Sequence, residues 1–181
     1  MNLIKKEKLK NILEIGGGYG GMAKIIATLD KNFRYYSVDL FEGCLIQYFF
    51  LCKSNIKAKI IFDIKDSEKN TINLIPFSKS NINFLKKINK VDLVFNSRSF
   101  SELNKSVIRY YFNFFNKFIK PKYIYHENAN FLLFPESKRH IEILAKDFPI
   151  SNDYNLINFN VSAFSGGGGR YREMLYKRKN K

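Results

Sequence analysis

Between Glu14 and Gly21 the chain reads EIGGGYGG, so five glycines follow one carboxylate within eight residues. Such a run fits a strand that ends against a ligand, because glycine lets the backbone turn sharply and approach a bound molecule closely. Two ligand chemistries are compatible with it. Gly16, Gly18 and Gly21 satisfy G-x-G-x-x-G, and Asp39, eighteen residues beyond Gly21, is spaced to accept hydrogen bonds from ribose hydroxyls. That reading sets a pyrophosphate at the N-terminus of the next helix, where the dipole meets its charge. Glu14, Gly16, Gly18 and Gly20 equally satisfy E-x-G-x-G-x-G, which brings the backbone against a nucleoside carrying an amino acid and Glu14 near a cationic end. Glu14 tips the choice, since a carboxylate there opposes a pyrophosphate and suits an ammonium or sulfonium.

Groups for proton transfer are few. His126, within YIYHEN on an apparent strand end, is of a type that titrates near neutral pH, and Glu127 alternates to the opposite face of the same extended segment. Glu102, in SFSEL, is a second candidate base. Arg98 in NSRSF suits a carboxylate, a phosphate or an acidic sugar, and Arg170 and Arg172 share a face by two-residue alternation. Asp63 and Asp66 sit in a polar turn and read as surface acids. Cys44 and Cys52 stand far from His126 and His140, so no catalytic metal is expected.

The elements that must carry these groups alternate. KNILEI (10–15) reads as a strand, and GMAKIIATLD as a helix, with Met22, Ile25, Ile26 and Leu29 at helical intervals. FRYYSVDL reads as strand and EGCLIQYFFLCK as helix. KAKIIF and INLIPF are both strand-like, with one of them expected in the central sheet and Pro76 ending the second. KVDLVFNS (90–97) is a strand. SELNKSVIRYYFNFFNKFIK is a helix with Ser101 as its cap, and its second half is apolar nearly all round, so the 107–119 helix is expected to meet a protein partner or a second copy. KYIYHENA is a strand, and PESKRHIEILAKDF a helix opened by Pro135. YNLINFNVSAF and RYREMLYKR, around SGGGG, read as an antiparallel pair. The order implies an α/β fold with a mostly parallel sheet and ligands at the strand C-terminal ends.

The 181 residues, 45% of them apolar, suit one self-folding domain. Thirty-one Lys and Arg against sixteen Asp and Glu give a net charge of +15, a field that attracts anionic partners, nucleic acid among them. Two cysteines fit a reducing compartment, and no apolar run reaches membrane-spanning length, so a cytoplasmic location is expected.

With LEIGGGYGG followed by Asp39 of YYSVDL, the chain resembles the class I S-adenosylmethionine-dependent methyltransferases. It is most similar to the sugar O-methyltransferases, in which a GGGYGG turn is followed by a fourth strand running into NSxSFxEM. Here that stretch is FNSRSFSEL, with Leu103 in place of methionine. The resemblance runs from about residue 10 to the end, with a shortened region ahead of the glycine turn. It implies a Rossmann-like fold in a single domain, 1–181, with a C-terminal antiparallel strand pair, and S-adenosylmethionine as cofactor. On this resemblance Glu14, Gly16, Gly17, Gly18 and Gly20 line the methionine moiety, Asp39 holds the ribose and Leu40 packs on the adenine. Asn96 and Ser97 lie where the strand opens toward the methyl, and Asn96, Glu102 and His126 form the reaction pocket. The implied function is O-methylation of a sugar or other small hydroxylated acceptor. Its alternatives are an RNA methyltransferase, which the charge favours, and a noncatalytic cofactor-binding or scaffolding subunit.

Overall fold

The computed structural model describes residues 2–78, 83, 85–88, 90–131, 143–163 and 169–180. The chain divides into two compact units, residues 1–95 and 96–181.

Unit 1 holds α1 (Asn2–Glu7), β1 (Asn11–Ile15), α2 (Gly21–Leu29), β2 (Arg34–Asp39), α3 (Phe41–Lys53), β3 (Ala58–Ile60), β4 (Ile72–Pro76) and the start of β5 (Leu93–Ser97). Its strands are parallel: β1 pairs β2 from Asn11↔Arg34 to Ile15↔Val38, β2 pairs β4 from Tyr35↔Ile72 to Asp39↔Pro76, and β1 pairs β5 from Ile12↔Leu93 to Glu14↔Phe95. Buried on both faces, β1, β2 and β4 read as apolar runs instead of alternating ones. Both strand-like segments before β5 join the sheet, not one: β3 pairs β4 from Ala58↔Ile72 to Ile60↔Leu74. β3 is an edge strand of three residues, fixed by Lys57 and Lys59, whose ammonium groups lie 2.6 and 3.1 Å from the Glu68 carboxylate. On α3, Cys44, Gln47 and Leu51 recur at helical spacing and form its buried face.

Unit 2 holds the end of β5, α4 (Lys105–Phe114) running into a π-helical stretch Phe115–Ile119, β6 (Tyr123–Ala129), β7 (Tyr154–Val161) and β8 (Tyr171–Arg178). The predicted closing pair is present: β8 is antiparallel to β6 and to β7, with a bulge in β7 between Leu156 and Asn158. The hydrogen-bonded strand order is β3-β4-β2-β1-β5-β6-β8-β7, a mostly parallel, Rossmann-like α/β sheet ending in antiparallel strands.

Two expectations change here. The cap of α4 is Asn104, whose carboxamide oxygen accepts from the Val107 N–H at 3.0 Å, while Ser101 lies in a separate 3-10 turn, Ser99–Glu102. The apolar surface of α4 and its extension is covered from within: Ile108, Tyr111, Phe112, Phe114, Phe115 and Ile119 are buried, with Phe100 and Phe148 against Phe112 at 5.5 and 5.6 Å between ring centres. On the same segment Tyr110 and Phe118 stay exposed, each 42%. The helix expected from Pro135 falls mainly outside the described residues, and its described tail is a 3-10 turn, Ala145–Asp147.

Candidate functional site

β1 carries Glu14 and then breaks into the glycine turn. Gly16, Gly18 and Gly20 have φ of 72°, 58° and 95°, the left-handed region, where any side chain costs about 1–2 kcal/mol. The Gly16 N–H donates to the Val38 carbonyl at 2.8 Å, stitching the turn to β2. Gly17 is constrained by space: a Cβ there would lie 2.4 Å from both Gln47 Oε1 and Ser37 Oγ. A Cβ on Gly18 meets nothing within 4 Å, so the turn opens outward at that residue.

Asp39, the last residue of β2, is held by three donors. Leu40 N–H donates to Oδ1 at 2.8 Å, and Gly18 N–H and Gln47 Nε2 donate to Oδ2 at 3.2 and 3.0 Å. Gln47 is buried and in turn accepts from Ser37 Oγ at 2.8 Å, which fixes its amide the right way round. Gly43 leaves room for this carboxylate, since a Cβ there would stand 2.7 Å from Asp39 Cγ. Burial raises the Asp39 pKa, against the lowering effect of the Leu40 and Gly18 N–H groups. Beside it Leu40 is 65% exposed, and Phe77, whose N–H donates to the Asp39 carbonyl at 2.7 Å, is 37% exposed. Asp39, the open glycine turn and two exposed apolar side chains therefore sit together at the C-terminal ends of β1, β2 and β4. That set can accept hydroxyl hydrogen bonds and cover a flat apolar ring.

Glu14 is buried, and its Oε2 accepts from the Tyr35 hydroxyl at 2.8 Å. Burial pushes its carboxyl up to about 7, outweighing the opposing Tyr35 hydrogen bond. Near neutral pH it is therefore poised between neutral acid and carboxylate.

In unit 2, a second polar cluster begins where β5 ends. Asn96 is buried; its Oδ1 accepts from Asn128 Nδ2 at 2.7 Å and its Nδ2 donates to Ser99 Oγ. Asn128 Oδ1 accepts from the Ser101 N–H and hydroxyl, both at 3.0 Å. Ser97 Oγ donates to Glu127 Oε2 at 3.0 Å, and Ser162 Oγ to Glu127 Oε1 at 2.6 Å. Arg98 reaches the same carboxylate with Nε and a terminal nitrogen at 3.4 and 3.3 Å. Glu127 thus organises this polar cluster, a role that the sequence signals only by its place one residue from His126 on β6.

His126 points the other way. It is fully buried, neither ring nitrogen has a hydrogen-bond partner among the described residues, and its ring centre lies 5.0 Å from that of Phe148 and 5.8 Å from that of Tyr176. Burial drives its pKa down to about 3, so it does not titrate near neutrality as its residue type led one to expect. Glu102 is exposed at the end of the 3-10 turn and precedes α4 instead of lying within it. Unit 2 thus links Asn96 and Ser97 to Asn128 and Glu127 but buries His126 apart from them. Among the described residues no group of three His, Cys, Asp or Glu side chains is arranged to hold a metal ion, and no helix is long and apolar enough to cross a membrane.

No family model and no curated protein matches the chain. Several solved structures do. The methyltransferase domain of bacterial CtHen1-C is 12% identical with a TM-score of 0.68, over 99% of this chain and 94% of that one. The small RNA methyltransferase HEN1 gives 12% identity and 0.66 over 99% of this chain, and the mitomycin 7-O-methyltransferase MmcR 10% and 0.59 over 95%. The chain spans half the length of MmcR and 24% of that of HEN1. At these identities the likeness is one of fold, and the fold is that of Rossmann-like methyltransferases.

Proposed function

We propose that the chain binds S-adenosylmethionine in unit 1 and methylates a hydroxyl of a small, sugar-like acceptor. The observation that carries this reading is Asp39, oriented by Gly18 and Gln47 beside a glycine turn that opens at Gly18, with Leu40 and Phe77 exposed next to it. This donor and acceptor set fits a nucleoside with an amino-acid tail: Asp39 accepts from ribose hydroxyls, Leu40 and Phe77 flank the base, and the turn from Gly16 to Gly20 lets the tail approach the backbone. Glu14 supports the same ligand, because a cationic group nearby draws its half-titrated carboxyl fully into the charged form.

When bound, the cofactor's sulfonium supplies a methyl group open to one-step in-line displacement, so the protein's main task is positioning. A hydroxyl acceptor must also lose a proton. With His126 neutral and enclosed, Glu102 is the exposed carboxylate of the original trio and takes the role of base in this reading. Asn96 is then a positioning residue, since its amide holds Ser99, the first residue of the turn that ends at Glu102.

Calorimetry on the full chain tests the cofactor. Binding of S-adenosylmethionine or its demethylated product is expected, with little or none of NAD, and D39A should cost about 1.5–3 kcal/mol of that affinity through lost charge-assisted hydrogen bonds. NAD binding more tightly than S-adenosylmethionine overturns the assignment.

A second reading, methylation of RNA, is favoured by the +15 charge. Such an enzyme, contacting several phosphates, should lose orders of magnitude in RNA affinity between about 50 and 200 mM salt, yet keep structure-selective binding at the upper end. The sugar reading expects only weak, sequence-blind retention that vanishes with salt. Selective RNA binding at physiological salt would decide for the second.

A further inference from the structure

We propose that Arg98 and Arg170, set against Tyr171, form a binding site for an anionic group, a carboxylate or phosphate monoester, on a small ligand. Three arginines gather in this part of unit 2, and they are not equivalent. Arg172 is committed to the backbone, donating to the Gly169 and Tyr171 carbonyls, and lies 5.7 Å from the centre of the Phe131 ring. Arg98 is committed to Glu127, which is buried and already takes two serine hydroxyls. Among the described residues Arg170 has neither kind of anchor: its guanidinium lies 5.6 Å from the centre of the Tyr171 ring, and its Nε is buried without a hydrogen-bond partner there.

Such an arrangement is costly as it stands. Arg98 approaches the same ring to 4.9 Å, so two guanidinium groups share one tyrosine, and the Glu127 carboxylate is paired with the first of them. A buried N–H without an acceptor is destabilising, and like charges in a half-buried setting repel more than they would in water. The backbone at Arg98 adds to this, since φ is 67° and ψ −29°, a left-handed conformation rare for a long side chain. That conformation lets the Arg98 N–H donate to the Glu127 carbonyl at 2.6 Å while its side chain folds back over the Glu127 carboxylate.

An anion of the planar or tetrahedral kind that guanidinium groups bind by paired N–H donors satisfies these features together. It gives the Arg170 side chain an acceptor and offsets the second positive charge. The ligand class is a sugar acid or sugar phosphate in preference to a neutral sugar. Identifying it as the methyl acceptor rests on the methyltransferase reading above; the anion site itself does not.

The full chain can be titrated with inorganic phosphate and with glucuronate, glucose serving as the neutral control, while the arginine Nε–H resonances are followed. Saturable binding of one or both anions is expected, with the Arg170 resonance shifting. R170A should weaken it roughly tenfold to a hundredfold. R170K, which keeps charge but not the planar fork, should recover part of the loss, and thermal melts of both variants establish that they are folded. K69A removes the same charge from an exposed site of unit 1 and should leave the affinity unchanged. Equal weakening by R170A and K69A, or tight binding of glucose, overturns the proposal. Competition by a short single-stranded RNA far tighter than by either small anion, and dependent on Arg170, overturns the small-ligand class. S-adenosylmethionine binding measured on the same samples separates the two readings: its absence beside Arg170-dependent anion binding removes the methyltransferase function alone, and its presence without anion binding removes this site alone.

Discussion

Gly17→Ala should cost the chain about 3–5 kcal/mol of stability and abolish the S-adenosylmethionine binding proposed above, although it adds one methyl group. The added carbon would stand 2.4 Å from Gln47 Oε1 and from Ser37 Oγ. Neither can step aside freely: Gln47 is buried on α3, and the Ser37–Gln47 and Gln47–Asp39 bonds form one chain of donors and acceptors. Overpacking alone costs about 1–3 kcal/mol, and each buried polar group left without its partner adds a further 1–3 kcal/mol. Gly18→Ala makes the contrast. Its φ of 58° costs about 1–2 kcal/mol, but the side chain enters open space. Denaturant unfolding of both variants checks the pair. Should G18A prove the more damaging, backbone strain and not the Ser37–Gln47–Asp39 chain governs the turn.

His126→Phe should raise stability in acid by as much as about 4–5 kcal/mol near pH 3 while changing it little at pH 8. In the unfolded chain the imidazole titrates near its ordinary 6.5, whereas in the fold burial holds it at about 3. Above 6.5 both states carry the neutral ring and no pH-dependent difference exists. Below 6.5 the unfolded state gains a proton that the fold refuses, so stability is lost progressively until pH 3. Glu14 acts in the opposite sense. Its folded pKa of about 7 lies above the ordinary 4.5, so its neutral form favours the fold below 4.5, and that contribution is lost as pH rises through 7. The wild type should therefore show a nearly level profile between about 4.5 and 6.5, where the two slopes oppose. H126F, left with Glu14 alone, should gain stability as pH falls through that window. Parallel profiles for the two proteins would show that His126 is not the group responsible.

The strand–glycine–helix–acid order was legible because each part is local: short continuous apolar runs, five glycines, and an acid at the end of the next strand. The partners that hold the Asp39 carboxylate were not. Gln47 lies in EGCLIQYFFLCK, where its spacing with Cys44 and Leu51 marks a buried face, but which polar group it meets depends on the packing of α3 against β2. Tyr35 reads as one more aromatic strand residue until its hydroxyl is seen on Glu14. On β6 the two-residue alternation correctly parted His126 from Glu127. What it lacked was which face is the core: His126 meets Phe148 and Tyr176, and Glu127 meets Ser97, Arg98 and Ser162. β3 escaped a firm assignment because three residues are too few to show a period.

The outermost strands, β3 and β7, are protected from adding foreign strands by different means. β3 is short and flanked by lysines in ion pairs, two local deterrents. β7 is eight residues long, and from Tyr154 to Gly169 the sequence has no charged side chain, while Leu156, Ile157, Phe159 and Val161 are each about half exposed. Nothing in that strand repels a like strand. Its charged neighbours lie beside it: Lys177 and Arg178 of β8 pair with Asn155 and Tyr154, and with Lys179 they line one hollow with Asn155 and Ile157, in reach of a second copy over a screening length of about 8 Å at physiological ionic strength. Repulsion of a like strand at this edge therefore rests on cations beside the strand and not within it, and it weakens as salt rises.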